Sequence, residues 1–323
     1  MSDLYTGSTA WSEKYSPKTL SEIVGHDAII KKFSEFAQVA EFPNLLLTGP
    51  SGVGKTVSAK NLVYELYDGE PEEKLLFVDS YASRIRIRDT IPRFIRSDNR
   101  GNIPQVLIIE RGDLLLEKAQ NELYSYMKQY PNKTRVIITA RFSSQVIQSL
   151  QSLCAIFRFT PIATSAFANY IQHIIKKEEM EITDSAIDYL HDVVDGDLRR
   201  GTNLLQAAAI GKVNHIDKST IESISPTVPQ QSITQMITEA TNGDYDEAQN
   251  LLDSILSDGI SAITIIDNMY EEIREADIPS QSRTKILNQI GETRFRLESG
   301  SDPTVQLSSI LAEIVIMSQD DGS

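Results

Sequence analysis

One segment of the sequence has residue types and spacing that suit phosphate binding, Gly49-Pro50-Ser51-Gly52-Val53-Gly54-Lys55-Thr56. In this GxxxxGK[ST] spacing, Gly49, Gly52 and Gly54 let the backbone curl so that successive N–H groups point inward toward an anion. Lys55 is expected to neutralise the β- and γ-phosphates, and the Thr56 hydroxyl to bind Mg²⁺. The segment therefore predicts a nucleoside triphosphate site, with ATP and Mg²⁺ as the ligands.

The elements on either side of this segment strengthen the prediction. The apolar run 45–47 precedes it and is typical of a strand, whereas residues 57–63 follow it and are typical of a helix. A strand, a glycine-rich loop and a helix in this order form the context in which the motif binds phosphate. The alternative is a glycine-rich turn before a helix, with no ligand.

Short apolar runs alternate with amphipathic helical stretches through the first half of the chain. The runs are residues 45–47, 75–78, 106–109, 136–138 and 155–157. Nearly continuous apolar strands that alternate with helices predict an α/β domain in which helices cover both faces of a parallel five-stranded sheet.

The strand pattern ends after Pro161, and apolar residues then recur at spacings of three and four. This spacing predicts helices for the rest of the chain. We therefore expect a nucleotide-binding domain over 1–162, an all-helical lid over 163–228, an all-helical domain over 229–318, and a polar tail over 319–323.

Composition limits the classes of protein that the chain can belong to. The single cysteine, Cys154, excludes an intrachain disulfide and a multi-cysteine metal site. No run of residues resembles a signal peptide or a membrane helix, so a cytoplasmic location without membrane partners is expected. The formal net charge of −14 repels nucleic acid on average, so that any contact with DNA requires a local basic patch.

Further motifs give the chain a resemblance to a known family. They are 11–20 (WSEKYSPKTL), 23–26 (IVGH), 118–123 (KAQNEL), 143–144 with 151–154 (SS and QSLC), 196–200 (GDLRR) and 302–307 (DPTVQL). In this order they resemble the small subunit of replication factor C, an AAA+ sliding-clamp loader, over about residues 11–317. The resemblance implies an AAA+ domain, a helical lid and a helical collar. It also implies a role in opening a ring-shaped clamp and placing it on primer–template DNA.

The resemblance also implies roles for individual residues. Tyr15, Pro17 and Val24 are expected to line an adenine pocket, although Tyr15 as an ordinary core aromatic is an alternative. Arg199 corresponds to the second sensor, which reaches the γ-phosphate from the lid; its alternative is a cationic helix face.

Four positions depart from the family pattern. Active relatives end the third strand in Asp-Glu-Ala-Asp, where this chain has residues 110–113 (ERGD). Glu110 is one methylene longer than the metal-binding Asp and is expected to reach the water shell of Mg²⁺. Arg111 replaces the glutamate that activates water, and arginine cannot accept a proton. Leu153 occupies the position of the arginine finger.

Arg141 replaces the asparagine of the first sensor. It can pair with a phosphate of its own site, or it can lie in solvent beyond the end of a strand. The degenerate catalytic positions are therefore Glu110, Arg111, Arg141 and Leu153, and we expect ATP binding with slow or absent hydrolysis.

A run of six arginines between Arg84 and Arg100 is the main candidate for DNA contact. The phosphate-contact candidates are Arg84, Arg86, Arg88, Ser143 and Ser144. The alternatives are salt bridges to neighbouring subunits or a solvated face for the arginines, and helix capping for the serines. Residues 114–117 are a candidate clamp contact, with a place in the core as the alternative.

Together these observations predict a specialised small subunit of a clamp loader. Its expected partners are a large subunit, a catalytic small subunit, the sliding clamp and primer–template DNA. An autonomous motor ATPase would need a catalytic glutamate and an arginine finger. A non-catalytic adaptor in a DNA repair or checkpoint complex remains the second hypothesis.

Overall fold

A computed structural model describes residues 10–69, 71, 73–80, 86–97, 103–131, 133–210, 215–225, 230–276 and 278–320. The chain divides into two compact units, Met1–Ile221 and Glu222–Ser323.

In its described residues, the first unit contains seven strands, nine complete α-helices and the start of a tenth. The strands are β1 (Leu45–Thr48), β2 (Leu75–Asp79), β3 (Gln105–Glu110), β4 (Thr134–Ala140), β5 (Ala155–Arg158), β6 (Glu181–Ile182) and β7 (His215–Ile216). The helices are α1 (Trp11–Lys14), α2 (Asp27–Val39), α3 (Lys55–Leu66), α4 (Arg86–Arg96), α5 (Glu117–Gln129), α6 (Gln148–Gln151), α7 (Thr164–Lys177), α8 (Asp184–Val194), α9 (Leu198–Ala209) and α10 (Lys218–Ile224).

Five of the strands form one parallel sheet in the order β2-β3-β4-β1-β5. The predicted parallel five-stranded sheet is therefore confirmed, with each apolar run inside its strand. Because all five strands run the same way, their carboxyl ends lie at one edge of the sheet. The loop from β1 to α3 begins at this edge.

Alternate residues of the central strands face two separate cores. Leu45, Leu47 and Ile108 pack in a cluster with residues of α2 and α3. Leu46 and Leu107 pack in a second cluster with residues of α4 and α5. Both faces of the sheet are covered, which explains why the strands are apolar at every position rather than at every second one.

The region predicted as the lid contains α7, α8 and α9, whose apolar faces share a core with Trp11 and Ile162. One feature departs from the expected all-helical lid. Residues of β6 and β7 pair in parallel, with Glu181 opposite His215 and Ile182 opposite Ile216. A pair of two-residue strands is too short to produce a periodic pattern in the sequence.

The second unit is helical throughout its described residues. Its helices, after the end of α10, are α11 (Gln230–Thr241), α12 (Tyr245–Ser257), α13 (Ala262–Glu275), α14 (Ser280–Glu298) and α15 (Pro303–Asp320). They enclose one core, in which Ile233, Leu252, Ile265 and Leu311 are fully buried. No helix in the described part of the chain is long and apolar enough to cross a membrane.

Asn44 connects three strands at the amino-terminal edge of the sheet. The side-chain Oδ1 accepts from the N–H of Val136 at 2.9 Å, and Nδ2 donates to the Leu153 carbonyl at 3.4 Å. The backbone carbonyl of Asn44 accepts from the N–H of Ala155 at 2.8 Å. Asn44→Ala leaves the buried N–H of Val136 without its acceptor and is expected to cost about 1–3 kcal/mol.

Urea unfolding followed by the fluorescence of Trp11, the single tryptophan, measures this loss in the first unit. Asn44→Asp keeps an acceptor for the N–H of Val136 and should therefore lose less stability than Asn44→Ala. The control is Asn121→Ala, since Asn121 donates to the Glu117 carbonyl on the exposed face of α5. Equal stability of the two alanine variants would contradict the prediction.

Candidate functional site

The glycine-rich loop has no room for side chains at two of its positions. Gly49 has φ of +141°, and a Cβ there would lie 2.1 Å from the Phe159 carbonyl oxygen. Gly52 has φ of +66°, and a Cβ there would lie 1.7 Å from the carboxylate of Asp197 on the lid. Only glycine fits either position, so the backbone itself forms the surface of the loop.

Helix α3 begins directly after the loop, with Gly54 in the left-handed conformation as its N-cap. Lys55, the first helical residue, donates from Nζ to the carbonyl of Gly49 at 2.7 Å and also to that of Pro50. Thr56 donates from its hydroxyl to Glu110 Oε1 at 2.8 Å. The helix N-terminus, an ammonium group and a hydroxyl–carboxylate pair therefore meet at the carboxyl edge of the sheet.

Burial lowers the pKa of Lys55 to about 8. The negative charges of Asp113, Asp197 and Glu110 raise it, and the positive charge of Arg141 lowers it further. A bound anion would offset the energetic cost of burying the positive charge of this ammonium group.

Arg111 immediately follows β3 in the left-handed conformation, with φ of +57°. Its N–H donates to Thr139 Oγ1 at 3.2 Å. Its Nη2 donates to both carboxylate oxygens of Asp79, at 2.6 and 2.7 Å. The guanidinium thus forms an ion pair with the last residue of β2, the neighbouring strand.

Asp113 and Arg141 join the ends of β3 and β4. The N–H of Arg141 donates to Asp113 Oδ2 at 2.9 Å, and Asp113 Oδ1 is buried without a hydrogen-bond partner. The guanidinium of Arg141 lies 5.4 Å from the centre of the Phe142 ring.

These groups line one cavity of about 390 Å³. The sheet, the loop, the N-terminal segment and the lid all contribute to its wall. The lining residues are Ser12, Ser16, Pro17, Ile23, Val24, Ser51, Gly52, Gly54, Lys55, Thr56, Val57, Glu110, Arg111, Asp113, Leu114, Thr139, Ala140, Arg141, Tyr170, Leu198, Arg199 and Thr202. Arg199 enters from the first turn of α9, whose N-cap Asp197 accepts from the N–H of Arg200 at 2.8 Å.

The structure brings most of the predicted ligand-binding residues to this cavity. Val24, Lys55, Thr56, Glu110 and Arg199 line it, together with Gly52 and Gly54. Gly49 contributes its carbonyl to Lys55, and Val53 is buried beneath the loop.

Tyr15 lies outside the cavity lining, unlike Pro17 and Val24. Its hydroxyl donates to Glu178 on the lid, and its ring packs at the edge of Trp11. This corresponds to the alternative of a structural aromatic, because α1 packs on the lid and carries Tyr15 away from the phosphate loop.

Three of the positions that depart from the family pattern have distinct surroundings. Arg111 and Arg141 both line the cavity, and Arg141 is at the same time exposed to solvent. Leu153 is half-buried and packs against the core beneath β1 and β4. It offers no charge to a neighbouring molecule.

The remaining candidates are placed as follows. Ser143 and Ser144 lie in a short 3-10 turn outside the cavity, and this turn has no side-chain cap. The backbone of Arg86 and Arg88 lies in α4, and Arg84 falls outside the described residues. Within residues 114–117, Leu115 is buried, whereas Leu114 and Leu116 are 51% and 61% exposed, so only Leu115 belongs to the core.

Sequence reasoning assigned no role to Asp113, Tyr170 or Thr202, which all line the cavity. Asp113 could have been found, because it lies three residues after Glu110 at the same strand end. Tyr170 and Thr202 belong to amphipathic lid helices, and no spacing distinguishes them from ordinary helical residues.

Comparison with known proteins identifies the family. The profile of the ATPase family associated with various cellular activities (AAA) matches residues 45–162, and that of the Replication factor C C-terminal domain matches residues 228–313. The Replication factor C small subunit of Natronomonas pharaonis is 34% identical over 311 residues, covering 95% of each chain. The protein of that name from Staphylothermus marinus is 33% identical over 317 residues, covering 95% of this chain and 94% of the relative.

This chain belongs to the replication factor C small subunit family. A solved mutant of Thermotoga maritima RuvB shares the fold with a TM-score of 0.59 at 19% identity, covering 80% of this chain and 90% of that one. The strand–loop–helix arrangement around Lys55 therefore belongs to an AAA fold.

The lowered pKa of Lys55 predicts that nucleotide affinity depends on pH. Phosphate binds the protonated ammonium, which the empty site loses as the pH rises through about 8. Titration of Lys55 should therefore leave the nucleotide affinity unchanged below pH 8. Above pH 8 the affinity should fall by up to about tenfold per pH unit.

Titration with a fluorescent nucleotide between pH 7 and 9.5 tests this dependence. Lys55→Met should bind more weakly and lose the decline above pH 8. Parallel pH profiles for the two proteins would show that Lys55 is not the titrating group.

Proposed function

We propose that this chain is an ATP-binding small subunit of a clamp-loader complex, with weak or no ATP hydrolysis of its own. One observation carries the proposal. The phosphate loop with Lys55 and Thr56 shares a cavity with Arg111, and Arg111 stands where active relatives have a glutamate. The guanidinium of Arg111 pairs with Asp79. The groups for binding are retained, and the group for activating water is replaced.

The residues around Thr56 fit a magnesium–nucleotide complex. The Thr56 hydroxyl and the Glu110 carboxylate lie 2.8 Å apart, and both are oxygen ligands of the kind that Mg²⁺ prefers. Thr56 would hold the ion directly, and Glu110 would bind its water shell. When bound, the ion neutralises phosphate charge. Lys55 and Arg199 supply the protein's own positive charge to the same cavity.

The cavity offers no side chain at position 111 that can take a proton from water. The guanidinium of Arg111 stays protonated at all physiological pH values. The position of the arginine finger is Leu153, so this chain would not complete the site of a neighbouring subunit. Such fingers contribute roughly 10³–10⁵ in rate in GTPases.

Family membership supports the wider assembly that we propose. The chain would act with a large subunit and a catalytic small subunit, and the complex would open the sliding clamp and place it on primer–template DNA. In this proposal residues 1–162 bind nucleotide, 163–228 form the lid, and 229–318 form the collar through which subunits assemble. The proposed contacts to DNA phosphates are Arg84, Arg86, Arg88, Ser143 and Ser144.

The subunit composition of the native complex tests the proposed assembly. We expect a tagged chain purified from its own cells to occur once in a five-membered complex that also contains a finger-bearing small subunit. Native mass spectrometry with identification of each subunit measures this. A complex without a large subunit or clamp partner would instead favour the adaptor function, and a homopentamer with rapid DNA-stimulated hydrolysis would contradict the proposal.

The identity of residue 111 is expected to limit hydrolysis. Arg111→Glu alone would place a carboxylate against Asp79, and the two charges would repel. Combining Arg111→Glu with Asp79→Asn removes this repulsion and returns a general base, a group that typically contributes 10²–10⁴ in rate. We therefore expect the double variant, assembled with its partners, to hydrolyse ATP about 10²-fold faster than the natural chain.

Steady-state phosphate release measures the gain. Adding Lys55→Met to the double variant should abolish it, which assigns the turnover to this site. Equal rates for the natural chain and the double variant would contradict the assignment of Arg111 as the limiting substitution.

A further inference from the structure

The ion pair between Asp79 and Arg111 lies at the border of the cavity. Asp79 ends β2 and is in register with Glu110, the last residue of β3. Arg111 follows Glu110 and lines the same cavity as Lys55 and Thr56. The residue therefore borders the cavity in which the loop would hold a nucleotide.

The backbone of Arg111 is fixed, whereas its side chain can change partners. The N–H bond to Thr139 holds the residue at the strand end. The side chain of Arg111 is 46% exposed and that of Asp79 is 35% exposed. Exposed ion pairs are weak enough to be displaced by a better partner. An exchange of partners would therefore move the side chain of Arg111 and not its backbone.

A terminal phosphate is a better partner than a carboxylate. It carries up to two negative charges and three acceptor oxygens, and arginine binds such a group with two parallel hydrogen bonds. ADP lacks this group. A residue that binds only the terminal phosphate therefore distinguishes ATP from ADP.

We propose that Arg111 leaves Asp79 for the terminal phosphate of bound ATP, so that this pair determines the preference of the site for ATP over ADP. The proposal rests on the proposed nucleotide binding. It assigns Arg111 to ligand recognition and Asp79 to a competing role: Asp79 holds the guanidinium while the terminal phosphate is absent.

Affinities for ATP and ADP in the presence of Mg²⁺ test the exchange in four full-length proteins: the natural chain, Arg111→Gln, Asp79→Asn and the double variant. Arg111→Gln should weaken ATP binding about tenfold and leave ADP binding within twofold. Asp79→Asn should strengthen ATP binding about two- to fivefold, because a competing exposed pair is removed. Asp79→Asn should have no effect when Arg111 is already Gln.

Glu35→Gln is the matched control for Asp79→Asn. Glu35 pairs with Lys32 at 2.8 Å on exposed α2, and neither residue lines the cavity, so its removal should leave both affinities unchanged. Thermal unfolding of each variant checks the fold. If Arg111→Gln does not fold, the response of Asp79→Asn decides, because a purely structural ion pair gives no gain in ATP affinity.

The outcomes separate this inference from the proposed function. Loss of nucleotide binding in Lys55→Met would support binding at the loop. If Arg111→Gln then leaves the ratio of ATP affinity to ADP affinity unchanged, or if Asp79→Asn weakens ATP binding, the exchange is overturned while nucleotide binding stands. A natural chain that binds neither nucleotide would overturn both.

Discussion

The site depends on a close approach of backbone and lid around the phosphate loop. Gly49 lies against the carbonyl of Phe159, and Gly52 lies against the carboxylate of Asp197. Because the loop is confined between the sheet and the lid, its curvature is set by packing as well as by its own sequence. The start of α3 is fixed in turn, and with it the positions of Lys55 and Thr56. The charged groups at the neighbouring strand ends then surround a site whose shape is already determined.

Under the proposed function, the charges around this loop would allow nucleotide binding and hydrolysis to separate. Lys55 and Arg199 bring positive charge to the cavity, and the Glu110 carboxylate is held by Thr56. At position 111, a carboxylate would hold a water molecule, whereas a guanidinium attracts phosphate. Under the proposed function, position 111 would therefore no longer serve hydrolysis, whereas Lys55, Thr56 and Arg199 would still bind the nucleotide.

Local patterns in the sequence were sufficient to predict the sheet and the loop, because each apolar run fills one strand and the loop motif specifies its own backbone. The pair between Asp79 and Arg111 could not be predicted, because it depends on β2 and β3 being neighbours in the sheet. The position of Tyr15 was also beyond the sequence, since the fold decides whether that segment follows the lid or the sheet. The strands β6 and β7 have two residues each, too few to produce alternation.

The N-terminal segment connects the core of the lid to the sheet. Trp11 is buried in the lid core, and its backbone N–H donates to Gln206 Oε1 at 2.9 Å. Farther along, the Pro17 carbonyl accepts from Asn61 of α3 at 3.1 Å, and Leu20 is fully buried beneath the sheet. Both ends of the segment are therefore anchored, one on each side of the cavity. Because the segment is held at both ends, the residues between the anchors, Ser16 and Pro17, are kept at the wall of the cavity.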